Sequence, residues 1–97
     1  MKFDVVLASE AVEDFRRLKA SIRAAIKRAL EVHLRHEPAK TSRSSIKRLR
    51  GMRRPQYRLR VGEIRVFYDI SGSPVEILAI VDKAETESWL AQFGKVE

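Results

Sequence analysis

Three arginines in the middle of the sequence have the type and spacing that phosphate binding requires. Arg58 and Arg60 alternate with apolar residues, and Arg65 does the same in the next segment, after a Gly-Glu pair. Alternation on both sides of such a pair predicts an antiparallel hairpin with a two-residue turn. Arg60 then faces Arg65 and Arg58 faces Phe67, so the three arginines share one surface of the sheet. Guanidinium groups match phosphate geometry, and we therefore interpret this surface as an anion-binding one.

The facing arginines are unfavourable for folding. Like charges directly opposite each other on a sheet destabilise it, whereas an opposite pair contributes ~0.2–1 kcal/mol. A sequence selected for stability alone would place Glu or Thr opposite Arg60 or Arg65. The alternative interpretation is a solvated strand face without a binding role, and the unfavourable pair favours the anion-binding interpretation.

The basic residues are concentrated around the hairpin. The net charge is +7, and residues 40–65 contain ten of the 20 Lys and Arg residues with a single acid, Glu63. Such clustering indicates a nucleic-acid or acidic-protein partner, and it predicts salt-dependent binding. We expect five of these cations to steer phosphates rather than to take part in chemistry: Lys47, Arg48, Arg50, Arg53 and Arg54.

Composition excludes several other classes of function. The 97 residues, 44% of them hydrophobic, suit one domain spanning residues 1–97. The absence of cysteine removes disulfides and thiolate chemistry, and His33 and His36 cannot complete a zinc site by themselves, so we predict no metal and no cofactor. Charged residues are scattered through the first residues and leave no long apolar run, so we predict no signal peptide and no membrane span there. We therefore expect a cytoplasmic protein.

The elements that must position the arginines follow from periodicity. The pattern predicts a strand over Lys2–Leu7, a helix capped by Ser9 with Glu10 in its first turn, a helix over Ser21–His36, a short strand over Ile46–Leu49, the hairpin, a strand over Val75–Val81 and a helix over Ala84–Phe93. Apart from the short strand, the order is β-α-α-β-β-β-α. This order predicts an α+β domain with the N-terminal strand and helical hairpin packed on one face of a mostly antiparallel, twisted sheet, and a short C-terminal helix. Tyr57 and Tyr68 then lie on the helix-covered side, and the arginine side stays open.

The chain resembles the RelE/ParE superfamily of toxins over nearly its whole length. The resemblance rests on LRG followed by YRLRVGEIRVFYDI, on the apolar strand ILAIVDK and on the element order. It implies a RelE-like toxin of a type II toxin–antitoxin system, with a cognate acidic antitoxin as partner and operator DNA as a target of the complex. RelE-type toxins cleave messenger RNA in the ribosomal decoding site, whereas ParE-type toxins act on DNA gyrase.

The resemblance transfers only part of a ribonuclease site to this sequence. The three hairpin arginines match its basic strand positions, and Lys83 stands where a further cation is usual. The usual terminal Tyr or His is missing, since the corresponding positions hold Trp89 or Leu90, which cannot transfer protons. Acid–base transfer typically adds ~10²–10⁴-fold to a rate. The open hypotheses are a ribosome-dependent endoribonuclease that inhibits translation, a weakened homologue that binds without cutting, and a gyrase toxin.

Overall fold

The centre of the structure is a sheet that contains the arginine hairpin. The structure, a computed structural model, describes residues 2–97. Its elements are β1 (Asp4–Leu7), α1 (Ser9–Arg16), α2 (Ala20–Ala29) with a π-helical continuation (Leu30–Leu34), β2 (Ile46–Arg48), β3 (Met52–Arg54), β4 (Tyr57–Val61), β5 (Ile64–Ile70), β6 (Pro74–Asp82) with a following 3₁₀ turn (Lys83–Glu85), α3 (Thr86–Phe93) and β7 (Lys95–Val96). Among residues 2–97, no helix is both long and apolar enough to cross a membrane.

Five strands form the main sheet in the order β1-β6-β5-β4-β2. The first strand runs parallel to β6, and all other neighbours are antiparallel. Together with the three helices, this sheet confirms the predicted α+β class. A separate two-stranded ribbon joins β3 to β7.

The hydrophobic core lies between the sheet and the N-terminal helical segment. Ile26 and Leu34 from the helical segment are fully buried, as are Leu59 and Val66 from the sheet. Alternation along β4 and β5 places Leu59 and Val66 on the same face, because successive side chains of a strand point to opposite sides. Complete burial of an aliphatic side chain of this size contributes about 1.5–3 kcal/mol. The apolar half of the hairpin is thereby held against the helices, which leaves its arginines on the opposite face.

Both tyrosines lie on the helix-covered side, as predicted. Tyr68 is fully buried, its hydroxyl donates to the carbonyl of Pro38 at 2.7 Å, and its ring stacks on Tyr57 with centroids 5.4 Å apart. Burial raises the pKa of Tyr68, and the neighbouring Tyr57 raises it further. The two phenol rings are therefore part of the core side of the sheet and not of the arginine side.

Two predicted boundaries at the N-terminus are wrong. The first helix begins at Ser9 itself, with Ala8 at the N-cap position and no side-chain cap, because Ala8 keeps the extended backbone of the preceding strand. The first strand begins two residues later than predicted, at Asp4. The amide of Phe3 instead donates to the carbonyl of Arg35 at 2.7 Å, which ties this end of the chain to the end of the helical segment.

The C-terminal region contains a strand pairing that the sequence did not predict. The segment between the short strand and the hairpin, for which no element was predicted, contains β3, which pairs with β7. The amide of Glu97 donates to the carbonyl of Gly51 at 3.1 Å. Gly94 follows the last residue of α3, as predicted. A Cβ at this position would lie 2.5 Å from Cε of Met52 and 2.6 Å from the carbonyl oxygen of Leu90. Only glycine fits where the helix, β3 and the last strand meet.

Candidate nucleic-acid interface

The register of the hairpin is the one that the sequence predicts. Arg60 pairs with Arg65, and Arg58 pairs with Phe67 across β4 and β5. The turn has a positive φ of 59° at Gly62 alone, as a type II′ turn requires at its first central position. On the other side of β4, Lys47 pairs with Arg58. We call the surface formed by Lys47, Arg58, Arg60 and Arg65 the cationic face.

The three arginines of the cationic face differ in exposure, and the predicted open surface is wrong for one of them. Arg60 is exposed and Arg58 is half-buried, but Arg65 is only 6% exposed. Its Nη1 donates to the carbonyl oxygens of Gly62 at 2.9 Å and Ile64 at 3.0 Å. The guanidinium of Arg65 thus folds back on the turn, and its hydrogen bonds hold the turn in place. A buried charge needs such acceptors, and these carbonyls supply them.

Arg58 is the residue of the cationic face whose surroundings are least favourable to its own charge. Burial lowers the pKa of Arg58, and the charges of Arg65 and Arg60 lower it further. Its Nε is buried without a hydrogen-bond partner among residues 2–97. An unpaired buried donor is unfavourable, and an anion that reached it would supply both an acceptor and an opposite charge.

The C-terminal helix covers part of the same surface, which the sequence-based picture left open. Trp89 of α3 stacks on Phe67 with centroids 4.9 Å apart and planes 3° from parallel. Phe67 is fully buried beneath Trp89. The ring centroid of Phe93, one turn later in the helix, lies 5.7 Å from that of Trp89, and Phe93 remains 56% exposed. Trp89 thus packs α3 against the body of the protein, whereas Phe93 does so only in part.

The remaining candidate cations are spread over several surfaces. Lys83 is exposed, and its amide donates to the carbonyl of Glu63 at 2.8 Å, which places Lys83 beside the hairpin turn at the end of the cationic face. Arg48 instead lies on the opposite side of the sheet, where its guanidinium carbon is 5.2 Å from the ring centroid of Tyr57. Arg54 forms ion pairs with two carboxylates, Asp69 at 3.8 Å and Glu76 at 3.6 Å.

Two further cations of the predicted phosphate-steering group carry free charges. Arg50 and Arg53 are exposed, and neither forms an ion pair with a described residue. Of the five predicted steering residues, only Lys47 pairs with an arginine of the cationic face. Strand parity places Arg48 on the opposite side of the sheet, and carboxylates pair with the charge of Arg54. The cationic face is therefore smaller than the run of basic residues suggests.

Neither the tyrosines nor the histidines within residues 2–97 lie on the cationic face. Both tyrosines lie behind the sheet, and both histidines lie at the end of the helical segment. Arginine is effectively always protonated and is a poor base. The cationic face can therefore bind an anion and stabilise negative charge that develops on it, and proton transfer needs a group from elsewhere.

A groove beside the cationic face was not recognised from the sequence. It lies between α1 and α3, has a volume of about 510 Å³, and its lining includes Glu10, Asp14, Arg17, Leu78, Trp89 and Phe93. The register between β5 and β6 shifts near Leu78, and the amide of Ile80 donates to Oδ2 of Asp14 at 3.0 Å. The only sequence sign of this bulge is the apolar run Leu78-Ala79-Ile80, which breaks the alternation within the strand predicted over Val75–Val81.

Comparison with known proteins adds a family and a fold. The family model described as "ParE toxin of type II toxin-antitoxin system, parDE" matches residues 5–86. The RelE of an archaeal RelE–RelB complex from Pyrococcus horikoshii OT3 has a TM-score of 0.70 at 21% identity, covering 86% of this chain and 97% of that chain. No curated protein sequence matches this chain significantly.

Two further solved structures have the same fold. A mutant of the E. coli toxin RelE in the free state has a TM-score of 0.69 at 21% identity, covering 92% of each chain. The toxin–antitoxin complex RelBE2 from Mycobacterium tuberculosis matches with a TM-score of 0.65 at 26% identity, covering 84% of this chain and 99% of that chain.

Proposed function

This chain belongs to the ParE toxin family of type II toxin–antitoxin systems, and we propose that it inhibits translation by binding messenger RNA at the ribosome through the cationic face. The observation that carries the proposal is the unpartnered, buried Nε of Arg58 on a surface where no carboxylate pairs with Arg58, Arg60 or Arg65 among the described residues. Like charges on such a surface repel each other, and an anion bound between them relieves that repulsion. Phosphate oxygens of RNA have the required charge and geometry.

The chemistry of this surface suits one part of RNA cleavage. Cleavage requires a 2′-hydroxyl that loses its proton, a pentacoordinate phosphate whose negative charge is stabilised, and a leaving oxygen that gains a proton. Arg58 and Arg60 would stabilise the phosphate charge, which is often the largest contribution in an active site, while Arg65 holds the turn that positions Arg60. The proton transfers would fall to ribosomal groups, so the isolated protein would cut naked RNA slowly or not at all.

The second part of the proposal is a neutralising antitoxin. Structures with the same fold include complexes of RelE with RelB, and a net charge of +7 favours an acidic partner. We expect a partly disordered antitoxin that folds on binding and places carboxylates on the cationic face. The toxin–antitoxin complex would bind operator DNA. If replacement of Arg58, Arg60 and Arg65 by Ala left antitoxin affinity unchanged at low salt, the antitoxin would have to bind elsewhere.

A gyrase-directed toxin is the second candidate function. The description of the matching family model and the lack of a tyrosine or histidine on the cationic face among the described residues favour it. Gyrase inhibition would block DNA synthesis first and leave messages intact, whereas the RNA mechanism would block protein synthesis first. The cationic face would then contact a protein or DNA surface in place of messenger RNA.

The experiment that tests the proposal is regulated expression of this chain in bacteria without its antitoxin. We expect growth arrest, with incorporation of labelled amino acids falling within minutes and thymidine incorporation falling later. Arg60→Gln should be expressed at the same level and arrest growth less, because Arg60 is exposed and its loss does not disturb folding. Prompt loss of DNA synthesis would select the gyrase mechanism, and normal growth with soluble, full-length protein would contradict a toxin.

A further inference from the structure

The groove between α1 and α3 has an apolar base, and an aromatic side chain at its edge is exposed to solvent. Leu78 is 7% exposed at the base, Trp89 forms one side, and Phe93 is 56% exposed at the rim. A large exposed aromatic side chain next to a groove marks a surface with capacity for binding. One face of Trp89 is already covered by Phe67, so the ring is held rigidly and Phe93 presents the free aromatic surface.

The wall of this groove provides hydrogen-bond acceptors on an otherwise basic protein. Glu10 and Asp14 both come from α1, and the side chain of Glu10 forms no hydrogen bond or ion pair with residues 2–97. Asp14 uses Oδ2 for the amide of Ile80, which fixes the carboxylate. Arg17 lines the same groove and likewise has no carboxylate partner among the described residues. With Glu13 and Arg54, which also line it, the groove combines two aromatic rings, three carboxylates and two guanidinium groups, and of these two only that of Arg17 has no carboxylate partner among the described residues.

We propose that this groove binds an unstacked nucleobase, with guanine preferred, and so reads one base of the RNA whose backbone lies on the cationic face. The inference rests on the proposed RNA-binding function and deepens it. Sequence-specific recognition of single-stranded RNA places splayed bases on aromatic rings and contacts their Watson–Crick edges. Phe93 would stack on the base, Glu10 and Asp14 would accept hydrogen bonds from its edge, and Arg17 would contact its phosphate.

The preference for guanine follows from the chemistry of a carboxylate. An ionised carboxylate accepts hydrogen bonds and donates none. Guanine presents two adjacent donors, N1–H and the N2 amino group, which match the two oxygens of one carboxylate. Uracil presents a single N–H between two carbonyl oxygens, and these would be repelled. A well-formed bidentate contact therefore discriminates against a wrong base by about tenfold or more.

The groove and the cationic face are joined through one aromatic stack. Phe67 contacts Trp89 and pairs with Arg58 on the neighbouring strand. An RNA strand whose phosphates lie on the cationic face would pass the mouth of the groove and could extrude one base into it. This continuity favours RNA over a free metabolite as the natural source of the base.

The single tryptophan of the chain gives a direct measurement. We would titrate the purified full chain with GMP, AMP, CMP and UMP and follow the fluorescence of Trp89. Saturable quenching is expected, with GMP binding about tenfold more tightly than UMP. Guanosine without its phosphate should bind more weakly than GMP, and this difference should disappear in Arg17→Gln.

Two variants and one matched control separate the base contact from general anion binding. Phe93→Leu should weaken all four nucleotides by about tenfold, because base–aromatic stacking is sequence-tolerant. Glu10→Gln should reduce the preference for GMP over UMP, because it removes an acceptor for guanine and relieves the repulsion of the uracil carbonyls. The control is Glu63→Gln, which removes an exposed carboxylate in the hairpin turn and should change neither affinity nor preference.

Several outcomes would overturn the inference. These are an absence of saturable quenching, equal quenching by all four nucleotides and by inorganic phosphate, or GMP binding that survives both variants unchanged. Binding of an apolar, lysine-containing peptide but of no nucleotide would make the groove a protein-docking site and also overturn it. Growth arrest that persists without nucleotide binding would defeat this inference alone, whereas selective GMP binding by a chain that fails to arrest growth would defeat the proposed function alone.

Discussion

Arg60 and Arg65 face each other in the hairpin, yet their side chains have different surroundings. On sequence grounds we expected neutral replacement of either residue to keep or slightly raise stability, since a repulsion is relieved. The hydrogen bonds of Arg65 now predict different effects for the two replacements. Arg65→Gln should lower the free energy of unfolding by about 1–3 kcal/mol, because the hydrogen bonds to the carbonyls of Gly62 and Ile64 are lost. Arg60→Gln should stay within about ±0.5 kcal/mol of the parent.

Urea denaturation of the two variants measures this difference, and the same slope of free energy against urea would confirm that the denatured states are alike. Equal stabilities would contradict the structural role of Arg65. The toxicity of Arg60→Gln is the more informative functional test, since a loss there does not arise from unfolding.

Tyr68 gives a prediction about pH at the same scale. Burial raises its pKa in the folded protein above the value of ~10 in an unfolded chain. The unfolded chain therefore loses this proton first, so the stability is fully present below about pH 10 and declines as the pH rises through and beyond that value. Tyr68→Phe should be less stable by about 1 kcal/mol at neutral pH, because the bond to the Pro38 carbonyl is lost, and its stability should decline less in alkali. A steeper alkaline decline in Tyr68→Phe than in the parent would contradict this assignment.

At the scale of elements, α3 depends on a close approach at its C-terminal end. Gly94→Ala would place a Cβ against the backbone carbonyl of Leu90 and the side chain of Met52. The methionine can move but the helix backbone cannot, so overpacking should cost about 1–3 kcal/mol. We expect α3 to loosen and the fluorescence emission of Trp89 to shift to longer wavelength as its stack on Phe67 opens.

The control for this variant is Gln92→Ala, an exposed position on the same helix. It should leave the emission maximum unchanged, since alanine is a good helix former and nothing is crowded there. An unchanged emission maximum in Gly94→Ala would show that the ribbon of β3 and β7 does not hold α3 in place.

At the scale of the whole molecule, the distribution of charge should decide how RNA binding responds to salt. Each phosphate contact with a single strand contributes a slope of about −0.7 to a plot of log affinity against log salt concentration. Arg60→Gln should therefore make the slope shallower by about that amount. Arg48→Gln removes the same charge from the opposite side of the sheet, where the guanidinium lies over Tyr57, and should leave the slope unchanged. Fluorescence anisotropy with an oligouridylate measures both, and equal effects would mean that only net charge matters.

The sequence by itself determined the hairpin, its register and the side of the sheet on which the arginines lie. These features depend on alternation and on a two-residue turn, which act between residues a few positions apart. The family resemblance and the α+β class followed from the same local patterns and are confirmed. The positions of the three cations and of both tyrosines relative to the sheet needed no tertiary information.

Only the tertiary structure decided which of these residues are free to bind. The return of Arg65 to the turn, the ion pairs of Arg54, the cover of Phe67 by Trp89 and the pairing of β3 with β7 were not predicted. The groove rests on a contact between Asp14 and Ile80, which are 66 residues apart. Alternation along a strand predicts the direction of a side chain, whereas exposure and ion pairing depend on which distant segment packs against it. That packing is a property of the assembled chain, and no local pattern specifies it.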